Sequence, residues 1–308
     1  MAAAGLKLFK DVDGKAVELA GATVALERHL QSYIERNMEG LLGVRFLASE
    51  YYTGARHAGR IDSLGLDEDF SPVIVEYKRT RGESILTQGL YYLAWLRDHT
   101  SEFEALVAKR LGIEVAARVD WSSPRLICIA GDFTRYDAHA AQEVGRRVDL
   151  VRYTSFGDGL LALESLVTVA GAADAPSARS SCSPNASAPS AKAKTVTEKL
   201  GQAPQSLQDL YADLDARLLA LGDVHSVPLQ EYFAYRRSSN FACVKVLPRE
   251  HALLVFLKVD PSAVELVEGW TRDVREIGHH GTGSLEVRIR SVEDLARAHE
   301  LFEASYAA

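Results

Sequence analysis

Asp62, Glu76 and Lys78 are the residues of this chain whose types and spacing could do chemistry. Side chains alternate faces along a strand, so Glu76 and Lys78 in VIVEYK project from one face while Val75 and Tyr77 point the other way. If the chain turns back about Asp69 in the loop DEDFS, the antiparallel register sets Leu66 opposite Pro72, Leu64 opposite Ile74 and Asp62 opposite Glu76. Directly opposed Cβ atoms lie roughly 5 Å apart, and two like charges there destabilise the pair unless a cation lies between them. A divalent metal satisfies that demand: Mg²⁺, or Mn²⁺ in its place, takes one or two carboxylates, waters and substrate phosphate oxygens. Lys78 would orient a metal-bound water and neutralise charge developing on a phosphate.

The pattern Asp62, thirteen residues, Glu76-x-Lys78 resembles the PD-(D/E)XK nuclease superfamily, and its spacing is similar to the NucS-like endonuclease branch. Gln88 and Tyr92 in QGLYY match the Q-x-x-x-Y of the helix that follows in that family. Ile61 precedes the Asp, and the Pro of the family name is missing. The family also places a Glu on the preceding helix. At about 100° per residue, with Leu26 at zero, Leu30, Tyr33 and Ile34 fall near 40°, minus 20° and 80°, Glu27 near 100° and Glu35 near 180°. Glu27 is therefore expected to flank the buried face, with Glu35 in solvent, and the family role is carried to Glu27. The resemblance further implies the Tyr77 carbonyl as a third protein ligand beside Asp62 and Glu76. It spans roughly Leu6 to Val169, is most specific from Glu27 to Tyr92, and continues in the tail WSSPRLICIAGDFTRYDAHA.

Each element has a plainer explanation. A solvated strand often alternates charge, Asp62 could cap a turn, and Gln88 with Tyr92 could be an ordinary i, i+4 contact. Arg56, His57, Arg60, Arg79 and Arg81 cluster around the same hairpin and would form a phosphate-binding patch. Arg79 and Arg81 could equally pair with Glu83 or with Asp67, Glu68 and Asp69. His279-His280 has no metal-ligand spacing and reads as a polar loop, and no P-loop, dinucleotide fingerprint or Ser-His-Asp motif occurs.

The elements that must position these groups follow from periodicity. A hairpin is expected over Leu6 to Leu19, a helix from Thr23 to about Asn37, and strands at Gly43 to Tyr52, Gly59 to Leu66 and Pro72 to Arg79. A helix capped by Ser84 should run to about His99, followed by the strand RLICIA, a helix over Asp137 to Arg147 and a strand after Asp149. The expected class is α/β, a restriction-endonuclease-like core with a mixed sheet flanked by helices, plus a small α+β C-terminal domain. In the latter, a helix at Ser206 to Gly222 precedes strands near Tyr232 to Tyr235, Phe241 to Leu247, Ala252 to Val259 and Ser284 to Arg290, and a helix from Val292 to Tyr306. Tyr232, Tyr235, Arg236, Arg237 and Asn240 read as a surface cluster whose aromatics and arginines could grip nucleic acid. The acidic balance of 11 basic against 16 acidic residues favours instead a strand that is core on one face and solvated on the other, or a protein partner. The domain resembles an uncharacterised module that often follows this nuclease type.

Composition sets the frame. The 308 residues, 47% hydrophobic and 25% charged, describe a globular chain of about two domains and exclude disordered, collagen-like and coiled-coil classes. Residues 171–195 are mostly Ala, Ser and Pro without aromatics, so domains are expected at 1–170 and 206–308, with a flexible linker over 171–205. Lys and Arg number 35 against 42 Asp and Glu, net −7, so polyanion binding must be local. No apolar run reaches the length of a membrane span and Met1–Gly5 has no signal-peptide pattern, which argues for a cytoplasmic chain with no membrane partner. Cys128, Cys182 and Cys243 read as reduced thiols. The function these features imply is metal-dependent cleavage of nucleic acid, DNA before RNA, with a catalytically silent binding or assembly module as the alternative. A homodimer, and a protein partner for the C-terminal domain, are the further partners this reading allows.

Overall fold

Three runs of the first half, PVIVEYK, RLICIA and RVDLV, are almost continuously apolar, as parallel strands covered on both faces must be. The computed structural model describes residues 6–22, 27–78, 85–157, 159–170, 195–237, 239–277 and 281–308, with the side chains of positions 56 and 170 left aside. It divides into two compact units, Met1–Ala173 and Asp174–Ala308. Residues 171–194, Ser84, Arg79, Arg81, Cys182 and His279-His280 lie outside the described residues, as does the side chain of Arg56.

The first unit runs β1 (Leu8–Val12), β2 (Lys15–Leu19), α1 (Glu27–Arg36), α2 (Met38–Leu42), β3 (Val44–Tyr52), α3 (Gly54–His57), β4 (Arg60–Asp67), β5 (Pro72–Lys78), α4 (Ile85–Asp98), α5 (Thr100–Leu111), α6 (Ile113–Ala116), β6 (Arg125–Ala130), α7 (Arg135–Glu143), β7 (Arg147–Gly157) and β8 (Leu160–Ala170). β1 and β2 form a separate hairpin, and the other six strands make one mixed sheet in the order β3-β4-β5-β6-β7-β8. β3, β4 and β5 pair antiparallel, β5, β6 and β7 parallel, and β8 closes antiparallel on β7. Strand alternation sends Val73, Val75, Tyr77, Ile127 and Ile129 to one face, where Leu30, Ile34, Met38 and Leu42 of α1 and α2 cover them. Ile74, Leu126, Cys128, Val148 and Leu150 face the other way, under Leu86, Leu93 and Leu96 of α4, Phe103 and Val107 of α5 and Ala141 of α7.

The turn from β4 to β5 is held from within. Asp67 accepts the backbone N–H groups of Asp69 and Ser71, and the buried Arg147 guanidinium lies 3.0 Å from Asp67. Two of the loop acids therefore face Arg147. The observed register is Leu66 with Pro72 and Leu64 with Ile74, as expected.

The second unit carries α8 (Val196–Gly201), α9 (Gln205–Leu219), β9 (His225–Pro228), β10 (Phe233–Arg236), β11 (Asn240–Leu247), β12 (Ala252–Leu257), β13 (Thr271–Asp273), β14 (Leu285–Ile289), α10 (Val292–Arg297) and α11 (His299–Ala307). Its sheet is wholly antiparallel, ordered β13-β14-β12-β11-β10-β9. Leu207, Leu210, Leu214 and Leu218 of α9 join Leu295 and Phe302 on one core with the strands. The expected surface cluster is corrected: Tyr232, Tyr235, Arg236 and Asn240 are buried, and Arg237 alone of the five is exposed. Tyr235 explains why, since its hydroxyl donates to Asp215 at 2.7 Å and fastens the strand to α9. An open cavity of about 460 Å³ in this unit is bounded by Ser206, Asp209, Asp213, His251, Arg290 and Glu293. It lies on a different unit from the Asp62–Glu76 pair.

Candidate active site around Asp62 and Glu76

An acid in the middle of a doubly covered strand is costly unless something compensates it. Glu76 is such a residue, only 1% exposed. Regular pairing between β4 and β5 stops at Ser63 opposite Val75. One step beyond, the two carboxylates take over the ladder: the Asp62 N–H donates to Glu76 Oε1 at 3.3 Å, and the Tyr77 N–H donates to Asp62 Oδ2 at 3.0 Å. Each acid thus occupies a backbone donor of the opposite strand.

Burial pushes the Glu76 carboxyl up to about 9, with the Asp62 charge adding to the rise. Asp62 is pushed up to about 6, again first by burial, then by Glu50 and Glu27, against the pull of the Tyr77 N–H and of Lys78. Without a cation the pair holds a proton near neutrality. Lys78 is half-buried at the end of β5, and its charge lowers the carboxyl pKa of both acids.

Glu27 opens α1, and its charge is felt at Asp62. Glu35 corrects the expectation of a solvent-facing residue: its Oε1 accepts the Ser63 hydroxyl at 2.6 Å and the Gln31 amide at 3.0 Å. Tyr33, expected on the buried face, is 42% exposed. Both corrections have one cause. The buried face of α1 is centred between Leu30, Gln31 and Ile34, about a fifth of a turn from where Leu26, Leu30 and Tyr33 would centre it.

Gln31 and Glu50 were not anticipated. The Gln31 amide reaches Ser49 Oγ, Glu50 Oε1 and the Asp62 carbonyl, tying α1 to β3 and β4 beside the site. Ser49 opposite Ser63 and Tyr51 opposite Ile61 bracket Glu50 and Asp62, so Glu50, Asp62 and Glu76 form one row across three strands. Glu50 has the left-handed φ of 50°, a conformation disfavoured for a residue with a side chain. Carrying the register argument across to the preceding strand would have found it.

Tyr92 is buried on α4, and its hydroxyl accepts the Arg60 N–H at 3.1 Å, two residues before Asp62. Gln88 is half-buried one turn earlier on that helix. The geometry gives Tyr92 a positioning part at the start of β4. Thr53 completes the clamp, its hydroxyl donating to the Gly59 carbonyl and accepting the Gly59 N–H. A Cβ on Gly59 would stand 2.6 Å from the Tyr92 ring. Gly59→Ala is therefore expected to destabilise the chain by about 1–3 kcal/mol, the usual range for overpacking. Chemical denaturation checks this, and wild-type stability would show that the ring moves aside freely.

Of the expected cationic patch, Arg60 is exposed and lies 3.7 Å from Glu50. His57 packs against the rings of Tyr91 and His99, at 5.3 and 5.9 Å between centroids. Cys128 and Cys243 are buried free thiols, and burial pushes the Cys128 thiol up, away from reactivity.

Comparison with known proteins adds the following. Residues 196–307 match a domain family described as "Domain of unknown function (DUF5655)". A protein of Haemophilus influenzae (strain ATCC 51907 / DSM 11121 / KW20 / Rd) called "Uncharacterized protein" is 23% identical over 305 residues, which is 94% of this chain and 96% of that one. The match runs across the sequence of both units of this chain. A solved structure, "Structure of EndoMS-dsDNA2 complex", is similar over 42% of this chain at 21% identity and a TM-score of 0.25. The chain spans about half the length of that protein, 47%. Among the described residues, no helix is long and apolar enough to cross a membrane.

Proposed function

We propose that the first unit is a PD-(D/E)XK-type nuclease that hydrolyses nucleic-acid phosphodiester bonds, DNA before RNA, with Mg²⁺ or Mn²⁺. The observation that supports this most is an acid pair, buried Glu76 and half-buried Asp62, with Lys78 on the same strand as Glu76. A structural acid pair of this kind gives no return for its burial, whereas a bound cation removes the shared proton and the repulsion together.

The donor chemistry fits a hard cation. Among the described residues, no three His, Cys, Asp or Glu side chains are grouped to hold a metal. Two carboxylates leave the remaining positions to water, substrate oxygens and the Tyr77 carbonyl, which suits Mg²⁺ or Mn²⁺ and not a closed zinc site. Such an ion, when bound, polarises the phosphoryl group and makes its water a better nucleophile. Lys78 neutralises charge on the phosphate, Tyr92 and Gln31 hold β4 in place, and Arg56, His57, Arg60, Arg79 and Arg81 anchor the flanking phosphates.

The alternative, a silent nuclease fold used for binding, draws on the same observation, since Asp62 and Glu76 also satisfy each other through one proton. Thermal unfolding separates the two. Mg²⁺ or Mn²⁺ should raise the Tm of the wild-type chain and leave Asp62→Ala unmoved; equal shifts in both, or none in either, would favour the silent module.

A further inference from the structure

The register of the second unit's sheet sets β12 against β14 from Leu257 opposite Leu285 to Leu253 opposite Ile289. His251, which leads into β12, and Arg290, which leaves β14, therefore stand at the same end of the sheet. α10 starts at that end, and α9 packs beside it, with Leu210 and Leu214 sharing a core with Leu295. The helices and strand ends bound the cavity of about 460 Å³. Small-molecule sites span about 300–1,000 Å³, so this one has room for a ligand of modest size.

Its lining is apolar at the base and charged at the walls. Leu207 and Leu210 are buried residues of α9 that reach the cavity, with exposed Val292 beside them. Asp209 and Asp213 stand one turn apart on the same helix, and Glu293 lies in the first turn of α10. Like charges at i, i+4 destabilise a helix unless a cation joins them. Among the described residues none does: Asp209 accepts only the Gln205 amide, at 2.8 Å, and Asp213 has no hydrogen bond or ion pair. The Ser291 hydroxyl bonds Glu293 and holds its carboxyl below the usual carboxylate range, so this third acid is ionised at neutral pH.

Arg290 brings the opposite charge to the same cavity. Its guanidinium donates to the Gly269 carbonyl at 3.2 Å, and among the described residues it pairs with no carboxylate. A cation and three anions that line one cavity without touching leave room between them for a ligand with charges of both signs. His251 adds an imidazole at the Arg290 end, on a backbone φ of 49° that a residue with a side chain rarely adopts.

We propose that this cleft binds a basic α-amino acid, with its carboxylate on Arg290, its cationic groups on Asp209, Asp213 and Glu293, and its methylenes on Leu207 and Leu210. A guanidinium meets a carboxylate in a two-pronged hydrogen bond, and an aliphatic stem covers apolar surface while its charged head stays in water. Charge favours the basic class. Three carboxylates against one guanidinium leave an excess of negative charge that a neutral amino acid would not balance. The inference stands apart from the nuclease reading, because it uses no residue of the first unit.

Calorimetric titration of the full chain, in an amine-free buffer at constant ionic strength, tests it. L-Lysine or L-arginine should bind saturably, one per chain, and more tightly than norleucine, which lacks the distal cation, or cadaverine, which lacks the carboxylate. Asp213→Asn should weaken that binding about 10-fold, the worth of one charge-assisted hydrogen bond. Arg290→Gln, checked by circular dichroism for an intact fold, should weaken the amino acid and spare cadaverine, which isolates the contact between guanidinium and carboxylate. Absence of saturable binding, lysine and arginine no tighter than norleucine or cadaverine, or binding undiminished by Asp213→Asn overturns the site. So does an equal loss of amino acid and cadaverine in Arg290→Gln, since a carboxylate contact would leave cadaverine unaffected.

Discussion

Replacing Lys78 with alanine is expected to slow cation-dependent cleavage by about 10²-fold to 10³-fold, the usual loss when one preorganised charge is removed from a reacting centre. The lysine shares a strand with Glu76, two residues on, and its charge acts on both carboxylates. The loss should lie in the single-turnover rate, with nucleic-acid binding nearly intact, because the flanking cations are assigned to anchoring. Lys78→Arg should not rescue, since a planar guanidinium with a very high pKa cannot stand in for a compact ammonium. A second readout separates this role from a structural one. Lys78 lowers the carboxyl pKa values, so Lys78→Ala should move the acidic limb of the pH–rate profile upward. Cleavage at the wild-type rate by the alanine variant would reject the mechanism.

What the sequence made legible, and what it hid, follows from how local each determinant is. The hairpin from Asp62 to Glu76 was readable because its turn is short and apolar runs flank it on both sides, and the pairs Leu66 with Pro72 and Leu64 with Ile74 are those expected. Helix α5 was not, since Phe103 and Val107 are the only two of its residues that are buried, too narrow a stripe to announce a helix. Strand β8, LLALESLVTVA, mixes two-residue and helical spacing, and its partner β7 decides the outcome. In the second unit, Ala298 splits the final helix into α10 and α11, a detail that periodicity does not carry.

At the site, residue types and order brought Asp62 and Glu76 onto neighbouring strands with Lys78 two residues on, but the side-chain partners depend on packing that spacing does not carry. Helical-wheel reasoning about α1 depended on which residue was taken as its centre. Leu26 and Tyr33 drew that centre away from Gln31, and a buried glutamine is not a signal that hydrophobic periodicity can supply. The role of Glu35 was lost for the same reason. Tyr92 shows the opposite case, in which motif spacing found the residue and geometry supplied its contact, a hydrogen bond to the backbone at Arg60.

The largest effect on stability is expected at Glu76. Its carboxyl is raised from 4.5 to about 9 in the folded chain, chiefly by burial and then by Asp62. Between those two values the folded state holds a proton that the unfolded chain releases, so stability in chelator should fall as pH rises across that window. At about 1.4 kcal/mol per pKa unit, the loss is on the order of a few kcal/mol by pH 9. Glu76→Gln keeps a proton-like donor at all pH values and should flatten the slope, leaving the variant more stable than wild type in chelator at alkaline pH. If the pair binds Mg²⁺ as proposed, the ion should displace its proton and reverse the ranking, restoring the wild-type chain most at high pH and doing nothing for the glutamine variant. Urea titrations from about pH 5 to 9, with chelator and with Mg²⁺, make the comparison. A wild-type chain with pH-independent stability in chelator would mean that Glu76 is not held protonated, and the argument for a cation drawn to the pair would lose its physical basis.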